Sequence, residues 1–233
     1  MVVGSGLLAK TFSKYAEDDK LIVFASGVSN SSTKDIKEFK REKELLYKIL
    51  KLHKEKTVVY FSSCDVVNYT NNELYYQHKL DIENMIKKDA SAYYIFRLPQ
   101  VIGEFGNKNT MVNFLIDAII EDRKFTLHTK TFKNLIDIRD VYKICSYIID
   151  NGILKNKISN IINTKYISVK SLVSTIEEIV KKKAVYDECE IYFKPSYYDD
   201  VVKLVYPKID VDFCDDYIEK VLRYYLNKRG KKR

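Results

Sequence analysis

Met1-Val2-Val3-Gly4-Ser5-Gly6-Leu7-Leu8-Ala9 opens the chain. A short apolar run that reads as a strand passes through two glycines into a helical pattern extending to about Ala16. Gly-x-Gly-x-x-Ala at a strand-to-helix turn has a physical meaning. Gly4 permits the tight turn, Gly6 lets a pyrophosphate approach the backbone, and Ala9 lets the helix lie close on a sheet. The helix start, from Leu7 and Leu8, presents free N–H groups to such phosphates. A turn of this kind gains weight from its place between the first strand and the first helix, and from the strands and helices that succeed it along the chain.

Leu21 to Phe24 is a buried-strand run that ends in the small residues Ala25, Ser26 and Gly27, against which a cofactor can lie. The spacing predicts a long helix from Asp35 to His53, a strand from Thr57 to Phe61, and a helix from about Leu74 to Lys88. A strand over Tyr93 to Phe96 and a helix over Asn109 to Ile120 come after these. Next come a strand from Lys124 to His128, a helix from Val141 to Asp150 with Asp140 as its N-cap, and a strand from Ile158 to Ile162. Amphipathic helices over Val169 to Lys182 and Phe213 to Asn227 close the chain. Strands alternating with helices specify a parallel sheet with helices on both faces. Ligands of such sheets bind outside the carboxyl ends of the strands. The turns at Gly4 to Ala9, Ala25 to Gly27 and Ser62 to Asp65 all fall at such ends.

The third of these turns carries the chemistry. Val58-Val59-Tyr60-Phe61 stops at Ser62 and Ser63, and Tyr75-Tyr76-Gln77-His78-Lys79 begins the next helix. Positions four apart share a helix face, so Lys79 can hold its ammonium near the Tyr75 phenol and lower its pKa. A strand-end serine, Ser63 with Ser62 as the alternative, can hydrogen-bond the same substrate oxygen. Together they make a proton relay for a carbonyl or an alcohol. Tyr-x-x-x-Lys alone is a weak pattern in a chain with 19 tyrosines.

The length of 233 residues suits one domain with a small appendage, and the 46% hydrophobic composition supports a sizeable core. Cys64, Cys145, Cys189 and Cys214 lack metal-ligand spacing, which argues against a zinc site and fits reduced thiols in a cytoplasmic protein. No apolar run reaches the roughly 20 residues that span a bilayer, and Met1 leads directly into a strand, so neither a membrane segment nor a signal peptide is expected. The net charge of +8 is partly local, in Lys228, Arg229, Lys231, Lys232 and Arg233. No nucleic-acid-binding module accompanies that tail, so nucleic acid is disfavoured as a partner, and a basic chain also suits a phosphate-bearing substrate.

Five segments in order resemble the extended short-chain dehydrogenase/reductases, in particular the NAD(P)-dependent nucleotide-sugar epimerase, dehydratase and reductase group. They are Gly4 to Ala9, Val58 to Asp65, Tyr75 with Lys79, Arg97-Leu98-Pro99-Gln100-Val101-Ile102-Gly103, and Asn134 to Val141. The resemblance covers nearly the whole chain, with two departures. Two strands usual between the first helix and the strand at Leu21 are absent, and with them the residue that selects NAD or NADP. The gap from Ser63 to Tyr75 is about half the usual length, which implies a short loop over the sugar.

The resemblance implies an α/β fold: a Rossmann-like doubly wound parallel sheet lacking two strands, with a small C-terminal substrate-binding portion. It places the dinucleotide-binding domain at 1–165, with 104–133 contributing to the sugar pocket, and the substrate-binding portion with its basic tail at 166–233. It implies Ser63, Tyr75 and Lys79 as catalytic residues. Gly4, Ser5, Gly6, Leu7, Leu8, Ala25, Ser26, Gly27, Ser62, Tyr75, Lys79 and Pro99 would hold NAD or NADP. Cys64, Asp65, Gln100, Asn109 and Arg139 would meet the nucleotide sugar, with Arg97 and Lys124 as nearby charges. Dehydration needs an Asp-Glu pair that Cys64 and Asp65 do not supply; the short loop and the small C-terminal portion favour 4-keto reduction in glycan precursor synthesis over 4-epimerisation. A homodimer through the two helices at 35–53 and from Leu74 is implied. A non-catalytic Rossmann module sensing a dinucleotide is the alternative, suggested by the missing strands.

Overall fold

A computed structural model describes residues 1–31, 33–67, 74–104, 110–198 and 200–230. In chain order the elements are β1 (Val2–Val3), α1 (Leu7–Thr11), β2 (Leu21–Phe24), α2 (Ile36–Leu52), β3 (Thr57–Ser63), α3 (Leu74–Asp89), β4 (Ala92–Leu98) and β5 (Gln100–Ile102). Then come α4 (Met111–Ile120), β6 (Phe125–His128), β7 (Phe132–Lys133), β8 (Leu135–Asp137), α5 (Ile138–Asp150) and β9 (Lys157–Asn160). The last are β10 (Ile167–Ser168), α6 (Val169–Val180), β11 (Tyr186–Cys189), α7 (Val201–Leu204) and α8 (Tyr217–Gly230). The chain divides into two compact units. The first comprises Met1–Pro99, Ile138–Ile161 and Tyr197–Asp210, and the second comprises Gln100–Asp137, Ile162–Ser196 and Val211–Arg233.

The first unit is built on a five-stranded parallel sheet in the order β1-β2-β3-β4-β9. Side chains alternate across a strand, so Ile22, Phe24, Val58, Tyr60 and Ile95 share one face. That face packs on Leu46, Ile49 and Leu50 of α2 and on Ile82 and Ile86 of α3. On the opposite face Phe12, just beyond α1, meets Phe61 at 4.8 Å and Tyr142 of α5 at 5.4 Å between ring centroids. Helices therefore cover both faces, and a sheet buried on both sides reads as the near-continuous apolar runs found at β2 and β3. The order never reverses along the sheet. With the two strands absent, β1 lies at an edge, paired with β2 alone among the described residues.

Parallel pairing brings the carboxyl ends of β1, β2 and β3 to one edge. Gly4 leaves β1 there with φ +126°, a conformation that L side chains rarely adopt. A Cβ at Gly4 would lie 2.5 Å from the carbonyl oxygen of Ala25, so the glycine also permits the close approach of β1's exit to β2's exit.

In the second unit β5 pairs with β8, β6 with β11, and β7 with β10. Its centre is polar but satisfied. Buried Asp137 accepts the Tyr225 hydroxyl at 2.9 Å, while its backbone N–H donates to Tyr217 Oη at 2.8 Å. Asn134 and Asn163 exchange backbone-to-amide hydrogen bonds at 2.7 and 2.9 Å.

Several boundaries differ from the sequence expectation. α1 stops at Thr11, and Ser13–Tyr15 is a 3-10 turn, because the fully buried Phe12 leaves helical geometry. α5 starts at Ile138 rather than Val141, so Asp140 lies in its first turn, 3.8 Å from Lys143, rather than capping it. α8 starts at Tyr217, after a non-helical Phe213 whose ring stacks edge-on against Tyr217.

A paired substitution tests the turn. Gly4→Ala is expected to cost about 2 kcal/mol or more, since both strain and a backbone clash oppose it. Gly6→Ala, where a Cβ meets nothing within 4 Å, is expected to cost at most about 1 kcal/mol, the scale of a lost glycine cap. Urea unfolding of the two variants beside the parent measures both.

Candidate active site

The site begins with the buried stripe of α3. Tyr75, His78, Lys79, Ile82, Glu83 and Ile86 are its buried residues, at the alternating three-and-one spacing of a single helix face. His78, Lys79 and Glu83 bring charge or basicity into that stripe, and each has a partner. Glu83 receives a two-pronged bond from Arg97 of β4, Nε to Oε1 at 2.9 Å and Nη2 to Oε2 at 2.7 Å. Arg97 is thus a member of a structural ion pair.

His78 and Lys79 turn to Glu42. Glu42 sits on the apolar stripe of α2 between Phe39 and Leu46 and is fully buried. Its Oε2 accepts the Val28 N–H at 2.7 Å and lies 2.8 Å from His78 Nε2. An ionised carboxylate only accepts, so the imidazole carries its proton on Nε2. Glu42 Oε1 accepts the Tyr60 hydroxyl at 3.0 Å and lies 3.5 Å from Lys79 Nζ. Lys79 in turn donates to Tyr60 Oη at 3.0 Å. One carboxylate therefore joins α2, the segment after β2, β3 and α3. Burial by itself would raise its pKa, but the charge of Lys79 and the hydrogen bonds from His78 and Val28 outweigh it and hold Glu42 down to about 2. For Lys79 burial prevails over the attraction of Glu42, and its pKa is lowered.

Tyr75 is buried beside this group, packed with Val28, Phe39 and Tyr76. The Lys79 ammonium lies 5.7 Å from its ring centroid and 5.2 Å from that of Tyr60. The helix spacing thus brings Tyr75 and Lys79 together. The expected lowering of the phenol's pKa does not occur: burial, then the charges of Tyr76, Glu42 and Asp65, push Tyr75 up. Burial is the largest cause, and Lys79, with its own pKa lowered, has lost its charge before such a phenol ionises.

Gly27 lies directly on the pair. A Cβ there would fall 2.8 Å from Lys79 Nζ and 3.0 Å from Glu42 Oε1. Ala25 and Ser26 beside it are half-buried. On β3, Ser62 is buried with an unpartnered hydroxyl, whereas Ser63 Oγ accepts the Asp65 N–H at 3.2 Å. Cys64 is buried and donates its thiol to the Arg97 carbonyl at 3.2 Å. Asp65 accepts the Tyr197 hydroxyl.

Gly4, Ser5 and Gly6 are exposed, Leu7 and Leu8 are half-buried, and the space over Gly6 is open. Pro99 is half-buried after β4. Gln100 belongs to the second unit, where its N–H donates to Asn134 O at 3.2 Å. Arg139 is exposed in the first turn of α5, and Lys124 pairs with Asp187 at 2.8 Å. Asn109 lies outside the described residues, as do Lys231, Lys232 and Arg233. Among the described residues no helix is long and apolar enough to cross a membrane.

No protein-family model matches the sequence, and no curated protein matches it. Solved structures do match in fold. The UDP-glucuronic acid 4-epimerase of Bacillus cereus, in complex with UDP-glucuronic acid and NAD, aligns with a TM-score of 0.72 at 17% identity, covering 93% of this chain and 78% of that one. The UDP-N-acetylglucosamine 4-epimerase of Methanobrevibacter ruminantium, in complex with UDP-N-acetylmuramic acid, gives 0.69 at 15%, covering 97% and 81%. RMD from Pseudomonas aeruginosa, complexed with NADPH, gives 0.70 at 12%, covering 92% and 82%. Likeness at this identity establishes the Rossmann-like fold that these enzymes share.

The Glu42 group has a consequence for acid stability. A carboxyl whose folded pKa is about 2 against an ordinary 4.5 contributes stability that is full above pH 4.5 and lost as the pH falls toward 2. Glu42→Gln is expected to flatten that acid limb. At neutral pH it should cost about 3 kcal/mol, because it leaves the buried Lys79 without its counter-charge. Denaturant unfolding at a series of pH values measures both effects.

Proposed function

We propose that the chain is an NAD(P)-dependent oxidoreductase of the extended short-chain dehydrogenase/reductase type, acting on a nucleotide-linked sugar, with 4-keto reduction as its reaction. The observation that carries this reading is the buried adjacency of Tyr75 and Lys79 beneath Gly27, at the edge where the carboxyl ends of β1, β2 and β3 meet. The sheet order, the glycine turn and the fold shared with nucleotide-sugar epimerases support it.

The residues present fit a dinucleotide. Gly4 to Gly6 are exposed with open space over Gly6, and Gly27 leaves the lysine uncovered by any side chain of its own. The unpartnered Ser62 hydroxyl is a further polar group at the same edge. Gly4, Ser5, Gly6, Leu7 and Leu8 would hold the pyrophosphate, and Ala25, Ser26, Gly27, Ser62, Lys79 and Pro99 the remainder. Bound there, the nicotinamide supplies or accepts a hydride. Tyr75 gives its proton to the sugar oxygen, and Ser63 hydrogen-bonds that oxygen. Burial keeps the Tyr75 phenol protonated, the state that a keto reduction consumes. Cys64, Asp65, Gln100, Asn109 and Arg139 are assigned to the substrate, with 166–233 and 104–133 as the sugar-binding portion.

A homodimer through α2 and α3 belongs to the same reading, and the exposed Tyr47, Leu52 and Leu74 suit it. 4-Epimerisation uses the same groups and is the second reaction within this reading. A non-catalytic dinucleotide module is the other alternative, favoured by one observation, the engagement of Lys79 by Glu42 and Tyr60.

Turnover of a 4-keto nucleotide sugar with NADPH or NADH decides among them. The parent is expected to oxidise the cofactor, and Tyr75→Phe to lose at least about 100-fold in kcat, the scale of a missing general acid. Full activity in Tyr75→Phe would remove the tyrosine from the mechanism. Interconversion of 4-epimers without net cofactor oxidation would replace reduction by epimerisation.

A further inference from the structure

A full dinucleotide site in a doubly wound sheet uses strands on both sides of its first strand, in the order 3-2-1-4-5-6, with one mononucleotide on each side. The sheet here runs one way only. Its order is β1-β2-β3-β4-β9 with every pair parallel, so all the other strands lie on one side of β1 and, among the described residues, none lies on the other. The link that would carry outer strands, Phe12 to Lys20, lies wholly among the described residues and holds a 3-10 turn and no strand. That link also keeps away from the glycine turn. The Met1 ammonium, at the opposite end of β1 from Gly4, donates to the carbonyl oxygens of Tyr15, Asp18 and Leu21 at 2.9, 3.0 and 2.9 Å. The acid that reads an adenosine ribose follows the glycines by about 20 residues. At that spacing this chain has Phe24, Ala25 and Ser26, at the exit of β2, which lies inward of β1 and carries no carboxylate.

The inward side, in contrast, is furnished. Gly27 leaves β2 directly over Lys79, where a Cβ would fall 2.8 Å from Nζ. Ser62 near the end of β3 is buried with an unpartnered hydroxyl. Residues two apart on a strand share a face, so Ser62 lies on the face of Tyr60, whose hydroxyl meets Lys79 at 3.0 Å. We propose that the chain recognises one mononucleotide half of its cofactor, the nicotinamide ribose phosphate, and leaves the adenosine half ungripped. This rests on the dinucleotide reading above and narrows it. The phosphate would lie at Gly4 to Gly6 and the nicotinamide riboside over the exits of β2 and β3. The adenosine would pass beyond β1, where the sheet ends. Adding adenosine monophosphate to the mononucleotide then adds little affinity. The 2′-phosphate that distinguishes NADP from NAD sits on the ungripped half, so the two are bound alike.

Isothermal titration of the full chain with nicotinamide mononucleotide beside NAD and NADP, and with its reduced form beside NADH and NADPH, compares the two halves. Within each redox state the three Kd values are expected to agree within about tenfold. Adenosine monophosphate is expected to bind at least about tenfold more weakly than nicotinamide mononucleotide. Saturation-transfer NMR on NAD in exchange with the chain gives a readout independent of affinity. The nicotinamide ring protons are expected to receive saturation from the protein and the adenine protons little. A dinucleotide Kd more than about tenfold below that of the mononucleotide would overturn the proposal, as would NAD and NADP differing by more than that. So would adenine protons saturated as strongly as those of the nicotinamide. Each of those outcomes leaves dinucleotide binding and the proposed activity standing. Binding of neither the mononucleotide nor any dinucleotide would overturn the proposal together with the reading on which it rests.

Discussion

A carboxylate buried to zero exposure can remain ionised only if donors surround it, and Glu42 has them on every side. Its partners come from separate parts of the first unit: Val28 after β2, Tyr60 on β3, and His78 and Lys79 on α3, with Glu42 itself on α2. The elements that carry the candidate chemistry are thus tied at one point. Withdrawing the carboxylate would leave a buried ammonium, an imidazole and a backbone N–H uncompensated together, which is why this contact constrains the site more than any one apolar residue around it.

The same arrangement explains how an ordinary parallel sheet comes to hold Tyr75 beside Lys79. The sheet aligns the exits of β1, β2 and β3, and glycines at two of those exits keep the backbone bare. Gly4 allows one exit to touch the next, and Gly27 allows the chain to lie over the lysine. The apolar stripes of α2 and α3 then deliver their polar members, Glu42, His78, Lys79 and Glu83, into the interior with the hydrophobic residues that flank them. Burial makes those groups costly, and mutual pairing makes them specific.

Much of this is legible in the sequence where a periodicity runs long enough. The strands at Leu21, Thr57 and Tyr93 and the helices after them carry enough apolar residues to fix a parallel α/β sheet, and Tyr75 and Lys79 share a face by spacing alone. The two-residue strands β7 and β10 and the short β5 and β11 have no readable period. Glu42 is visible as a member of the α2 stripe, three after Phe39 and four before Leu46, but a lysine- and glutamate-rich helix gives no hint which carboxylate is turned inward. His78 shares its face with Tyr75, three residues on, and its partner on α2 is apparent only in three dimensions. The acidity of Tyr75 escapes the sequence for a similar reason: spacing gives the nearness of Lys79, not the depth of burial that raises the phenol and lowers the lysine.

On the function proposed for this chain, the edge formed by Gly4 to Gly6 and Ala25 to Gly27 would hold a nicotinamide dinucleotide beside Tyr75 and Lys79. Isothermal titration of the full chain with NAD, NADH, NADP and NADPH, beside the Gly6→Asp variant, measures this most directly. Space over Gly6 lets the aspartate fit while placing negative charge where phosphates would lie. Binding of at least one of the four with a Kd of about 1 mM or tighter, abolished in Gly6→Asp, is the result expected. No binding of any of the four, or binding that Gly6→Asp leaves unchanged, would rule out a dinucleotide at this edge.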